Sequence, residues 1–181
     1  GAVGFVGLIV PHLARYLVGV DYRRIIPSSA VLGALLMVTA DLGARTLNPP
    51  FETPIGALIS LVGVPFFLYL ARKQRRALMK RQQMTVRQKN EAYRRKTMLR
   101  NAAVLAGCAA LLAISFVVSM NTGYTRLTPL DTLRTLFGGG TDKETLIFFT
   151  FRLPRIVISM LVGAGLSLSG CIIQGVSKNA L

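Results

Sequence analysis

Asp41 and Arg45 are the first residues whose types and spacing suggest chemistry. They lie four positions apart near the end of a long apolar run, so a helix would place both on one face. An ionisable residue at the centre of a membrane helix costs about 2.5 to 3.5 kcal/mol, so Asp41 should be paired or should face protein or water. Two interpretations are open, a structural ion pair near a helix end and an acid that carries protons. The off-centre position of Asp41 favours the pair.

The other candidate residues are few and scattered. His12 is the chain's single histidine, and we expect it to be packed or at a helix end rather than to bind a ligand or sense pH. Cys108 and Cys171 fall inside apolar runs, which predicts buried free thiols. Gln174 and Asn179 could line a gate, but hydrogen bonding to neighbouring helices is the simpler role. No cluster of metal ligands is visible among these residues.

A basic block between apolar runs sets the predicted orientation of these residues. Residues 72–100 hold 12 of the 22 lysines and arginines and one acid, Glu91. Such a block marks the cytoplasmic side of a membrane protein. A sequence pI near 11.1 also suggests nucleic acid as a partner. However, the block contains one aromatic residue, Tyr93, and no base-reading motif, so we expect no nucleic-acid partner.

Four apolar segments are long enough to cross a membrane. Two of them run for 20 and 21 residues without a charge, and about 20 residues are needed to span a hydrocarbon core of about 30 Å. The predicted spans are residues 25–44, 54–71, 101–120 and 156–176. Sixteen of the 22 basic residues then lie on the cytoplasmic side, with both chain ends.

Shorter elements complete a predicted all-α integral membrane fold. Residues 1–10 are too short to span and are interrupted by Pro11, which predicts a short helix at the cytoplasmic surface. Residues 15–24 form a second short element there. Residues 128–137 predict an outer amphipathic helix with Pro129 at its first position and glycines after it. A further short element at residues 144–151 leads into the last span.

Several stretches resemble one known family. GFVGLIVPHLAR at residues 4–15 and ETPIGALISLVGVPFFLYL at residues 52–70 resemble the C-terminal part of FecCD permeases, which belong to bacterial ABC importers. RLPRIVISMLVGAGLSLSGCIIQGVSKNAL at residues 152–181 resembles their N-terminal part. Two positions depart from the family pattern, where Tyr22 replaces a histidine and Ala180 replaces a proline.

The resemblance implies a tail-then-head order. Residues 1–75 resemble the family's tail and residues 95–181 its head, which divides the chain into units 1–83 and 84–181. Family permeases have about ten spans, so a partial permease fold is implied. Three explanations are open: a junction piece of a tandem double permease, a fusion of adjacent genes, or a permuted small permease. The alternative from another class is a stand-alone four-span protein, either an exporter or a membrane anchor.

The resemblance also implies a function and its partners. It implies uptake of iron(III)–siderophore complexes, haem or cobalamin across the bacterial plasma membrane, powered by separate cytoplasmic ATPase subunits. The other partners would be an extracytoplasmic substrate-binding protein, a second permease copy and membrane lipid. The resemblance also implies no catalytic residues, no metal site, no cofactor and no enzyme activity. The residues that match the family's ATPase-coupling helices are Gly4, Phe5, Val6, Gly7, Leu8, Pro11, His12, Arg15, Asp21 and Arg23. The residues that match positions docking the binding protein are Arg45, Arg152 and Arg155.

Overall fold

Helices make up all regular secondary structure in the part of the chain that the computed structural model describes. That part comprises residues 2–19, 21–48, 51, 53–61, 63–65, 68–69, 72, 91–122 and 129–177. The helices are a 3-10 turn Ala2–Phe5, α1 Val6–Val18, α2 Tyr22–Thr46, α3 Glu91–Asn121, α4 Pro129–Leu136, α5 Asp142–Leu146, a π turn Ile147–Arg152 and α6 Leu153–Val176. Residues 55–61 and 63–65 are also helical.

Three helical stretches are long and apolar enough to cross a membrane, which confirms the all-α membrane class. They are Tyr22–Thr46, Met98–Asn121 and Asp142–Val176, and they contain three of the four predicted spans. The described residues of the fourth, 54–71, are helical from residue 55, but several of its residues lie outside the described part. That span stays a prediction.

The last span is longer than the sequence suggested. The predicted short element at 144–151 and the predicted span are one continuous helical stretch from Asp142. Thr141 caps its start, since the Thr141 hydroxyl accepts from the Glu144 amide and the Glu144 carboxylate accepts from the Thr141 amide. The T-x-x-E pattern of Thr141 and Glu144 is visible in the sequence, but a helix start was not predicted there.

The N-terminal region contains one short helix where two were predicted. Pro11 lies inside α1, which continues to Val18, so the proline does not interrupt the helix. Residues 15–24 do not form a second element, because Gly19 ends α1 at a φ of 90° and Asp21 caps α2. The Asp21 carboxylate accepts from the Arg23 amide at 3.1 Å. The chain therefore passes from α1 to a spanning helix within three residues.

Small residues let the helices approach closely. A Cβ atom at Gly33 of α2 would overlap the Gly163 carbonyl and the Ser167 hydroxyl of α6. Gly165 faces open space, so only part of the small-residue run of α6 is in the contact. Contacts of this kind bring backbones together and maximise van der Waals attraction where lipid provides no hydrophobic drive.

The helices α2 and α6 run antiparallel, so each end of the bundle combines the start of one of these helices with the end of the other. At one end, the arginine end, Asp41 of α2 meets Arg155 of α6. At the other end, the amide end, the Tyr22 ring lies against Gly175, and Asn101 of α3 meets Val18 of α1. The predicted sidedness requires this arrangement, in which Arg45, Arg152 and Arg155 share one end.

Candidate functional site

Asp41 is the centre of a charged cluster formed with Arg45, Arg152 and Arg155. Its side chain is 2% exposed. Arg45 Nη2 lies 3.0 Å from one carboxylate oxygen, and Arg155 Nε donates to the other at 2.8 Å. A buried carboxylate is stable only when charges and hydrogen bonds surround it. The structural pair expected from the sequence is therefore present, and it includes a second arginine that sequence spacing could not have indicated.

The end of α3 supplies acceptors for two of the arginines. Arg45 Nη1 donates to the Thr122 carbonyl at 3.3 Å, and Arg45 Nη2 donates to the Ser119 hydroxyl. Arg152 Nη1 donates to the Met120 carbonyl. The last carbonyls of a helix lack intrahelical donors and carry partial negative charge, so cations stabilise this position. The cluster thus holds α2, α3 and α6 together at the arginine end.

The three arginines predicted to dock a binding protein are brought together, but they differ in exposure. The Arg45 side chain is 10% exposed and Arg155 is 35% exposed, while Arg152 as a residue is 6% exposed. Arg155 therefore presents the most surface to the outside of the bundle. Arg45 and Arg152 lie mainly inside, bonded to α3.

The residues predicted to couple to an ATPase fall into two groups. Val6, Gly7, Pro11 and His12 are buried within the bundle, and Phe5 and Arg15 are half-buried. The remaining four are exposed, and Tyr16 of α1, which the sequence did not single out, is also exposed. We call these exposed residues the coupling surface: Gly4, Leu8, Tyr16, Asp21 and Arg23.

Two buried carboxamides hold the backbone of α1. Gln174 Nε2 of α6 donates to the Leu8 carbonyl at 3.3 Å, and Asn101 Nδ2 of α3 donates to the Val18 carbonyl at 2.9 Å. Gln174 thus bonds a neighbouring helix, which is the interpretation favoured from the sequence. Asn101 was missed, although a polar residue at the start of an apolar run was its signal. Asn179 lies outside the described residues.

The described residues contain no group of three or more histidine, cysteine or acidic side chains that could hold a metal. Both cysteines are free thiols, with Cys171 buried and Cys108 half-buried. The arginines of the charged cluster and the amide nitrogens of the two carboxamides contact other helices. These contacts hold helices together, and Arg155 is the arginine of the cluster with the most exposed side chain.

Comparison with known proteins gives matches in both halves of the chain. The model of the FecCD transport family matches residues 1–73 and 111–181. The iron(3+)-hydroxamate import system permease protein FhuB of Bacillus subtilis is 68% identical over 78 residues, which are 43% of this chain and 20% of that protein. The iron-uptake system permease protein FeuB of Bacillus subtilis is 53% identical over 74 residues, 41% of this chain and 22% of that protein.

A third relative comes from another organism. The hemin transport system permease protein HmuU of Yersinia pestis is 52% identical over 75 residues, 41% of this chain and 22% of that protein. The chain therefore aligns with about a fifth of the length of these curated relatives. No solved structure matches the chain.

Proposed function

The chain belongs to the FecCD transport family, and from this we propose that it supplies membrane helices to the permease of an ABC importer for iron(III)–siderophore complexes. Separate cytoplasmic subunits would hydrolyse the ATP. The observation that carries the proposal is the family match over both halves together with relatives named as iron-hydroxamate and iron-uptake permeases. Three helices of membrane-spanning length fit this role.

We propose that the chain carries the tail of one permease, residues 1–83, followed by the head of another, residues 84–181. The separation of the family match into two segments supports this division. The share of the relatives that is covered, about a fifth, also fits a junction piece. The remaining spans of the pathway would come from other parts of a tandem or fused permease, and a second permease copy would complete the dimer.

We propose that the amide end faces the cytoplasm. Arg23 and Arg24 lie at the start of α2, and the basic block 72–100 leads into α3 at the same end. Positive residues are retained on the cytoplasmic side. The coupling surface would then meet the ATPase, and lipid would cover the exposed apolar side chains of the spanning helices.

The arginine end would face outward and dock the substrate-binding protein. Arg155 is the member of the charged cluster with most exposed surface, and a guanidinium binds carboxylates through its forked donors. Arg45 and Arg152 would shape this site from inside. An exporter that moves protons through Asp41 is disfavoured, because arginines engage both carboxylate oxygens of Asp41.

Copurification with the cognate ABC ATPase tests the proposal. We expect the full chain to retain the ATPase and the double variant Leu8→Glu with Arg23→Glu to lose it, since both substitutions alter exposed residues of the coupling surface. Arg134→Glu is the matched control, because Arg134 is an exposed arginine of α4 outside that surface. Failure of the unaltered chain to retain the ATPase, or equal retention by the double variant, would contradict the proposal.

A further inference from the structure

The backbones of α1 and α6 meet directly at Gly7 and Gly170. A Cβ atom at Gly170 would overlap the carbonyl oxygen of Gly7, and it would lie 2.5 Å from the Gly7 carbonyl carbon. No other residue type can be placed at Gly170 unless one of the two helices moves. The contact is therefore between main chains, with no side chain between them.

Pro11 explains why the Gly7 carbonyl is directed at a neighbour. In an uninterrupted helix this carbonyl would accept the amide of residue 11, but proline has no N–H. The Gly7 oxygen is thereby released from its usual intrahelical bond and lies at the Gly170 backbone, where a weak Cα–H···O contact is possible. Pro11 and Gly170 thus contribute to one contact from two different helices.

The next carbonyl of α1 is held by the same helix. Gln174 lies one turn beyond Gly170, and its Nε2 donates to the Leu8 carbonyl at 3.3 Å. Gln174 is itself buried. Positions 170 and 174 are i and i+4 on α6, so they share a face. That face therefore holds two successive backbone carbonyls of α1.

We infer that α6 is the helix into which movement of α1 is transmitted, and that Gly170 and Gln174 are the positioning residues for this transmission. The inference rests on the proposed role of the coupling surface. A contact between main chains cannot be absorbed by a change of side-chain rotamer. Breaking the hydrogen bond to Leu8 would leave the amide nitrogen of the buried Gln174 without its partner. Displacement of α1 would therefore carry α6 with it.

The chain connection from α1 to α2 is a different kind of link from the backbone contact between α1 and α6. It passes through Gly19, whose φ of 90° suits a residue without a Cβ, and through the cap at Asp21. A connection of this type can bend at Gly19. Helix α1 also packs against α2 in a shared apolar core, and the backbone contact with α6 is separate from both of these links.

Hydrogen–deuterium exchange of the full chain with and without the cognate ATPase provides the test. In the unaltered chain, we expect ATPase binding to change exchange in α1, in the start of α2 and in the inner half of α6. In Gln174→Leu the change in α6 should be lost, while the ATPase affinity and the changes in α1 and α2 remain. Gly170→Ala should act in the same way, provided that the chain folds.

Gly165→Ala is the control for α6, because a Cβ atom at Gly165 meets no other atom within 4 Å. It should behave as the unaltered chain does. If Gln174→Leu binds the ATPase and α6 still responds in full, the inference is wrong although the proposed function stands. If the unaltered chain does not bind the ATPase, the proposed function fails and the inference fails with it.

Discussion

Asp41 of α2 and Arg155 of α6 form an ion pair in which Arg155 Nε lies 2.8 Å from the Asp41 carboxylate. The two residues are 114 positions apart and belong to different segments of the family match. Because Arg45 contacts the same carboxylate from within α2, one acid organises arginines of both segments. The pair therefore contributes to holding the two parts of the chain together.

Substitution of Asp41 should be strongly destabilising. Asp41→Asn removes the negative charge between Arg45 and Arg155 and leaves both guanidinium groups without it. Breaking a buried pair in this way costs about 3 to 5 kcal/mol, and the partial exposure of Arg155 places our expectation near the lower value. Thermal unfolding in detergent measures the effect. Asp142→Asn, at an exposed helix start, is the control, and equal stability of the two variants would contradict the role of Asp41.

The crossing of α2 and α6 predicts opposite effects at two glycines of one helix. Gly163→Ala places a Cβ atom against the Gly33 backbone and should destabilise the chain by about 1 to 3 kcal/mol. Gly165→Ala meets open space and should be neutral or stabilising by about 0.5 to 1 kcal/mol, because alanine favours a helix. Thermal unfolding of both variants in the same detergent gives the comparison. A Gly163→Ala chain as stable as Gly165→Ala would contradict the close crossing.

Charge reversal at the arginine end should weaken docking of the substrate-binding protein. Arg152→Glu with Arg155→Glu in the intact permease introduces repulsion with acids of the docked protein, while membrane insertion should be unaffected. Because both arginines also contact other helices of the bundle, docking is measured on variant protein that elutes as a folded species in size-exclusion chromatography. Binding of the purified substrate-binding protein to permease in lipid nanodiscs measures docking, with a single charge reversal at the exposed Arg134, Arg134→Glu, as a control. Docking that survives the double reversal unchanged would remove these arginines from the proposed interface.

Loss of the cap at Thr141 should release the first turn of the long helix. Thr141→Ala deletes the hydroxyl that accepts from the Glu144 amide and should cost about 1 kcal/mol of local stability. Amide exchange in residues 142–146 should accelerate, whereas exchange in α6 should not. Thr145→Ala, an exposed residue of the same turn, serves as the control. Unchanged exchange after Thr141→Ala would show that the capping box is dispensable.

The sequence predicts the spanning helices well because a charge-free run of about 20 residues has few other uses. It predicts the turn after α4 because three glycines, residues 138–140, follow Phe137, and Gly138 has the positive φ of 81° that such a turn requires. The sequence-based prediction is wrong at Pro11, which lies inside α1. A proline can remain within a helix when a neighbouring helix packs against the carbonyl that the proline leaves without an intrahelical donor.

The candidate site was only partly predictable for a different reason. The pairing of Asp41 with Arg45 follows from their spacing, but the contact with Arg155 depends on how α2 and α6 cross. Small residues indicate that a crossing exists without fixing which glycine meets which. Burial of Arg152 against the Met120 carbonyl depends likewise on where α3 ends relative to α6.

The length of the stretch Asp142–Val176 has a consequence for how a partner would approach. Its 35 residues extend about 52 Å at 1.5 Å per residue, whereas the hydrocarbon core is about 30 Å thick. Without a steep tilt, about 20 Å of helix must stand outside the hydrocarbon, and Arg155 lies about 20 Å along the axis from Asp142. If the amide end lies at the inner boundary, Arg155 lies close to the outer boundary. In the proposed arrangement, a partner arriving from outside would contact the start of this helix, at the Thr141 cap, before it reached the guanidinium of Arg155.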